Sequence, residues 1–186
     1  MKEIKIGNTF VEVIQEDITK VEADIIVNAA NSSLMGGGGV DGAIHKAGGK
    51  TILDECIKIR KQQGGCPTGE AVITNAGNLS ASYVIHTVGP VWNGGKNNEE
   101  QKLRNCYRNT LKLADEYLAK SIAFPNISTG VYKYPKEAAA EIAIDEVFKY
   151  IKDGNTKLER IVFVCFDNDN FRIYKKKLEP YLRSGE

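Results

Sequence analysis

Two short runs of alternating apolar and polar positions open the chain. Ile4 and Ile6 alternate with charges from Met1 onward, and Phe10, Val11, Val13 and Ile14 follow the turn Gly7-Asn8, so the pattern predicts two strands. Asp17-Ile18-Thr19 reads as a short turn. Asp24 to Ala30 is an almost unbroken apolar run, the mark of a strand covered on both faces. The period then changes. Val40–Gly48 and Thr51–Gln63 read as helices, the second with Ile52, Leu53, Cys56 and Ile57 on its inward stripe. Glu70–Asn75 and Tyr83–Val88 are predicted strands, with Gly89-Pro90 ending the second. Leu103, Cys106, Tyr107, Thr110, Leu111, Ala114, Tyr117 and Leu118 recur at three- and four-residue steps and mark a long helix. Ser121–Pro125 is another buried strand. A helix over Lys136–Lys152 follows with Ala140, Ile144, Val147, Phe148 and Ile151 inward, then a strand over Ile161–Phe166 and a closing helix carrying Phe171, Tyr174, Leu178 and Tyr181. Strands alternating with helices predict an α/β fold, a central sheet between helical layers, and one domain over residues 1–186.

Composition narrows the function classes. Lys plus Arg is 25 and Asp plus Glu is 24, a balance that argues against a broad, non-specific nucleic-acid surface. The run Lys175-Lys176-Lys177 reads as a solvated helix face. No apolar run is long enough for a bilayer, and the first residues lack the apolar core of a signal peptide, so the pattern predicts neither a membrane partner nor secretion. The four cysteines are scattered and form no Cys-x-x-Cys pair, which suits a reduced, cytoplasmic protein. Cys56, Cys106 and Cys165 read as small core residues, whereas Cys66, in Gly-Gly-Cys-Pro, reads as exposed.

The candidate chemistry begins where the Asp24–Ala30 strand runs into Asn28-Ala29-Ala30-Asn31, four glycines at Gly36–Gly39, and then Val40-Asp41. Glycines at a strand-to-helix turn let backbone N–H groups approach an anion closely. Gly37 to Gly42 matches G-x-G-x-x-G formally, but the region where a dinucleotide-binding fold places its acidic ribose ligand is helical here, and Asp41 would face the pyrophosphate. No Lys-Ser or Lys-Thr follows the glycines, which excludes a Walker A loop. A second loop, Ser128-Thr129-Gly130-Val131-Tyr132, also follows a buried strand and precedes a helix, so the two loops together suggest a diphosphate clamp. Asp17 reads either as an acceptor for an adenine amino group or as an N-cap, and composition favours the cap. Asp41 and His45 share a helix face, with Asn31 across the glycine loop, an arrangement suited to holding a water or a ribose hydroxyl; the simpler reading makes Asp41 an N-cap. His86 lies mid-strand and reads as a satisfied core histidine. With two histidines and no cysteine pair, no transition-metal site is predicted.

Asn28 to Asn31, Gly36 to His45, Cys66 to Ala71, Val84 to Pro90 and Ser128 to Pro135 together resemble the signature of macrodomains, and within them the MacroD-type group that includes bacterial O-acetyl-ADP-ribose deacetylases. The resemblance runs from about Ile14 to the closing helix. It implies a three-layer α/β/α fold with a central mixed sheet and an ADP-ribose cleft. In that cleft Asp17 would hold the adenine amino group, with Ile18 lining the pocket and Phe166 against the ring. Gly37, Gly38, Gly39 and Val40 would grip the diphosphate together with Ser128, Thr129, Gly130, Val131 and Tyr132, and Tyr132 would pack near the distal ribose. Asn31 and Asp41 match the residues linked to hydrolysis, and Asn28 and His45 match residues that support the loop. Glu16 and Lys133 stand where the family carries glycine. The first loop offers neither the cysteine nor the histidine of the zinc-binding branch, which implies a metal-free site with no cofactor.

The resemblance therefore implies a hydrolase of ADP-ribose esters, acting on O-acetyl-ADP-ribose or on mono-ADP-ribosylated glutamate and aspartate of proteins. A non-catalytic ADP-ribose reader would need the clamp but not Asn31 and Asp41. An RNA- or protein-regulating role gains little support from the neutral charge balance.

Overall fold

The apolar runs become the middle of a seven-stranded sheet. In the computed structural model, which describes residues 3–154 and 156–183, the strands are β1 (Ile4–Ile6), β2 (Thr9–Gln15), β3 (Ile25–Ala30), β4 (Ala71–Asn75), β5 (Tyr83–Val88), β6 (Ser121–Phe124) and β7 (Arg160–Cys165). Met1 and Lys2 of the predicted first strand lie outside the described residues. The sheet order is β1-β2-β7-β6-β3-β5-β4. β2, β7, β6, β3 and β5 are parallel, and the antiparallel β1 and β4 close the two edges, making the sheet mixed.

Each inner strand is covered on both faces, as its composition requires. Ile25 and Val27 of β3 point into one core and Ile26 into the other. The larger core packs the sheet against α3 (Glu99–Glu116), α4 (Lys136–Lys152) and α5 (Asn168–Arg183). The smaller one packs it against α1 (Gly39–Gly48), α2 (Lys50–Gln63) and a 3-10 turn at Ile18–Lys20. The result is three layers, α/β/α.

Three expectations about burial change. α3 ends at Glu116, so Tyr117 and Leu118 leave the helical stripe; Leu118 turns left-handed (φ 58°) and both side chains are exposed. The inward stripe of α2 is Ile52, Cys56 and Ile59, while Leu53 and Ile57 are half-exposed. Cys66 is 2% exposed rather than exposed. Its N–H donates to the Ser32 carbonyl (2.9 Å), drawing the Gly64-Gly65 turn under the Asn31–Ser33 loop. All four cysteines are free and buried, and burial pushes the Cys66 and Cys56 thiols up to about 12.

Candidate active site

Every parallel strand delivers a loop to the same end of the sheet. β3 ends at Ala30, β5 at Val88, β6 at Phe124, β7 at Cys165 and β2 at Gln15, and in open α/β sheets ligands bind outside such carboxyl ends. Two adjoining cavities occupy that end. One, of about 390 Å³, is lined by Asn31, Gly37, Gly38, Gly39, Val40, Asp41, Ser128, Gly130, Val131 and Tyr132 among others. The other, of about 530 Å³, is lined by residues that include Asp17, Ile18, Gly39, Val40, Thr129, Gly130 and Phe166. Gly39, Val40, Asn126 and Gly130 line both, so the two form one cleft between the glycine loop and the Ser128–Tyr132 loop. A larger groove of about 780 Å³ runs from the end of β2 at Ile14 and Glu16 to the starts of β3, β5, β6 and β7. Two of its charged groups are paired within the protein: Asp24 accepts from the Lys120 N–H, and Arg160 donates twice to Glu12.

The glycine loop owes its shape to close approaches. α1 starts at Gly39 with Gly38 as N-cap and no side-chain cap. The first N–H groups of a helix have no intrahelical acceptor, and here they face the cleft, with the positive end of the helix dipole. Gly42 packs so tightly under the loop that a Cβ there would lie 2.5 Å from the Gly37 carbonyl oxygen. A Cβ on Gly37 would lie 3.1 Å from Asp41 Oδ2 and 3.4 Å from Asn31 Nδ2. The two side chains therefore both face the Cβ side of Gly37. Asn31 is held there by donating to the Gly36 carbonyl (3.0 Å) and accepting from Ser33 Oγ (2.6 Å).

Asp41 lies in the first turn of α1 rather than at its N-cap, which overturns the capping reading. Its side chain is nearly buried. Oδ1 accepts from Asn28 Nδ2 at 2.8 Å, and His45 Nε2, one turn on, lies 3.4 Å away. Asn28 and His45 do not line the cleft; they stand behind Asp41. Behind them, His45, Cys56 and His86 bring their ligating atoms within 4.8 Å of one another. Both His86 nitrogens are already engaged, Nδ1 with Asn28 (3.0 Å) and Nε2 with Thr74 (2.9 Å). A ligating cysteine must be a thiolate, and burial holds Cys56 as the thiol. His86 is thus held by hydrogen bonds, whereas His45 Nε2 is buried with no hydrogen-bond partner among the described residues.

At the far end of the cleft, Asp17 lines the second cavity and serves as the N-cap of the sequence reading. Oδ1 caps the 3-10 turn, accepting from the Thr19 N–H (2.9 Å) and Thr19 Oγ1 (2.7 Å). These bonds hold its carboxyl below the usual range. Phe166, 75% exposed, also lines that cavity, one residue past the end of the neighbouring strand β7.

The Macro domain family model matches residues 27–143, more than half of the chain. The chain belongs to the macrodomain family. The macrodomain is 56% identical over 170 residues to the "O-acetyl-ADP-ribose deacetylase" of Escherichia coli (strain K12), covering 91% of this chain and 96% of that protein. It superposes with a TM-score of 0.92 on a macrodomain of Oceanobacillus iheyensis solved with ADP (41% identity; 98% of this chain, 97% of the other). A Trypanosoma brucei macrodomain in complex with ADP-ribose gives a TM-score of 0.83 (40% identity; 90% of this chain, 68% of the other).

Several lining residues of this macrodomain carry no motif of their own in the sequence. Asn126 lines both halves of the cleft, and Asp167, Asn170 and Lys136 line the Asp17 half. Burial pushes the Asp167 carboxyl up, but bonds from the Asn170 N–H and side chain, with Lys136 nearby, outweigh it and leave the group below its ordinary range. Asn170 opens a predicted helix, so its inward placement had no periodic signal. Gly89 is the other omission: a Cβ there would strike Ser128 Oγ and Ile127. The Gly89-Pro90 pair gave a signal, though it read only as the end of a strand.

Proposed function

We propose that this macrodomain hydrolyses ADP-ribose esters, taking O-acetyl-ADP-ribose and mono-ADP-ribosylated acidic side chains of proteins as substrates. The observation that carries the reading is the approach of Asn31 and Asp41 to the Cβ face of Gly37, inside a cleft walled by two glycine-bearing loops. The identity to deacetylases and the likeness to ADP- and ADP-ribose-bound macrodomains supply the substrate class. Among the described residues no helix is long and apolar enough to cross a membrane, and the free cysteines suit a cytoplasmic site of action.

In this reading the adenine amino group donates to the Asp17 carboxylate and the ring lies against Phe166. The diphosphate bridges the α1 N-terminus and the Ser128–Tyr132 loop. The distal ribose then enters the half of the cleft that holds Asn31, Asp41 and Tyr132. Water adds to the ester carbonyl there; the C–O bond to the ribose breaks, and the ribose oxygen leaves as a hydroxyl. Asn31 orients the water or the ribose. Asp41 either accepts the proton of the attacking water or fixes the ribose while the substrate's own phosphate accepts it. A positioned base contributes about 10²–10⁴-fold.

The test is Asp41→Ala, assayed for acetate release from O-acetyl-ADP-ribose and for ADP-ribose binding by calorimetry. The expected outcome is retained binding with turnover reduced at least about 100-fold. Wild-type protein that binds ADP-ribose yet releases neither acetate nor ADP-ribose from a modified protein would make it a reader instead.

A further inference from the structure

The catalytic reading of Asp41 leaves a buried polar chain behind it without a role. Asn28, His86 and Thr74 are 0%, 0% and 2% exposed, on β3, β5 and β4. Buried polar side chains in such a setting are costly unless satisfied. Asn28 and His86 are register partners in the parallel β3–β5 pair, so the sheet itself aligns them.

The protons of this chain can be assigned one by one. Thr74 Oγ1 donates its single proton to the Asn75 carbonyl (2.9 Å). Asn28 Nδ2 faces both Asp41 Oδ1 (2.8 Å) and His86 Nδ1 (3.0 Å), so Nδ1 accepts, Nε2 carries the ring proton, and Thr74 Oγ1 accepts from it (2.9 Å). Burial pushes the His86 imidazole down to about 3, so the ring is neutral and Nδ1 is a bare lone pair. Nδ1 accepts one proton of the Asn28 amide (3.0 Å), and the other goes to Asp41 Oδ1 (2.8 Å). If the ring proton sat on Nδ1, it would oppose the Asn28 NH₂. The amide would flip and present its carbonyl oxygen to the Asp41 carboxylate, which repels it. Cys56 Sγ, 3.8 Å from Nε2, is a competing partner whose thiol proton would favour that other tautomer.

We propose that Thr74 and His86 are positioning residues for the hydrolysis. Thr74 selects the Nε2–H tautomer of His86, and that tautomer fixes the Asn28 amide with its donors toward Asp41. The inference rests on the reading of Asp41 given above. Asp41 then meets the ribose as a hydrogen-bonded carboxylate in one rotamer, with Oδ2 facing Gly37 and the cleft.

Thr74→Val tests it. The substitution is isosteric and suits a strand, but it removes the only oxygen acceptor at Nε2. Expected are a kcat on O-acetyl-ADP-ribose lowered about 10- to 100-fold and an unchanged ADP-ribose Kd. Thr74→Ser, which keeps the hydroxyl, should recover most of the lost kcat. The ¹⁵N spectrum of labelled imidazole reads the tautomer without any turnover: Nδ1 of His86 is the unprotonated nitrogen in the wild type, and Nε2 becomes so in Thr74→Val. A wild-type spectrum with Nδ1 protonated, or Thr74→Val with wild-type kcat, overturns the proposal. So does a kcat loss matched by an equal loss of ADP-ribose affinity, which would mark general damage to the cleft. A wild-type protein that hydrolyses no ester would instead overturn the reading of Asp41, and the spectrum would still report on the chain of hydrogen bonds.

Discussion

Gly42→Ala is the most direct probe of how α1 shapes the diphosphate loop. The added methyl would sit 2.5 Å from the Gly37 carbonyl oxygen, whereas ordinary contact begins at 3.4 Å. The loop must therefore retreat by about 0.9 Å (3.4 − 2.5) relative to the helix. The atom in the way is backbone, so no side-chain rotation relieves it. Gly37 turns its Cβ face to both Asn31 and Asp41, and a displacement near 1 Å at reacting groups costs about 10²-fold in rate. Stability moves less, because alanine's helix preference, worth about 1 kcal/mol, partly offsets an overpacking cost of about 1–3 kcal/mol. The expected result is a kcat reduced about 100-fold and a thermal midpoint lowered by a few degrees. Steady-state acetate release, ADP-ribose calorimetry and thermal melts measure the three quantities. Gly130→Ala supplies the stability reference, since its methyl meets no protein atom within 4 Å. A Gly42→Ala protein with kcat and Kd within twofold of wild type would refute the idea that this contact sets the loop.

Asp17→Ala should raise the ADP-ribose Kd by more than about tenfold, the loss of a charge-assisted hydrogen bond, and also lose about 1 kcal/mol of cap; an unchanged Kd beside a lower melting temperature would reduce Asp17 to a cap. Lys133 takes a left-handed backbone (φ 59°), a conformation that favours glycine. Lys133→Gly should therefore gain up to about 1 kcal/mol in urea denaturation, the left-handed penalty less glycine's own entropy. His86 is neutral when folded down to about pH 3 but titrates near 6.5 when unfolded. Its contribution to stability is thus fully present above pH 6.5. It declines as pH falls toward 3, by up to about 1.4 kcal/mol per pH unit. Denaturation midpoints between pH 4 and 7 should show that slope, and His86→Gln should flatten it.

Much of the molecule was legible because its signals are local. The apolar runs at Asp24–Ala30 and Ile161–Phe166 gave buried parallel strands within a residue of their bounds, since a strand covered on both faces has no polar phase to misread. Tyr117 and Leu118 misled because the apolar spacing outlasts the helix, and only backbone geometry reveals the left-handed Leu118. Cys66 misled because its neighbours are turn residues, while its cover comes from Ser32, more than thirty positions away. Within the cleft, the two glycine-bearing loops were visible as loops. Asp17, Asn31 and Asp41 were readable as candidates from their types and spacing, the hydrolytic role and Phe166 only from resemblance to macrodomains, and the structure brings all four to one cleft. The hydrogen-bonded chain from Thr74 to Asp41 had no motif, because it depends on strand register and on which ring nitrogen holds a proton.

The β2–β7 pairing joins Gln15 to Cys165, so the two walls of the Asp17–Phe166 cavity come from opposite ends of the chain. Loop closure of that span is slow relative to local contacts. During synthesis the elements from β3 to the Ser128–Tyr132 loop emerge well before β7, so the half of the cleft that holds Asn31 and Asp41 can be assembled while the adenine half is still open. In the proposed binding mode, recognition of the whole nucleotide would then report that the last strand has docked. A chain stalled before β7 would have the anion loops and the acidic group but no wall for the base, and a ligand that spans both halves would favour completed chains over unfinished ones.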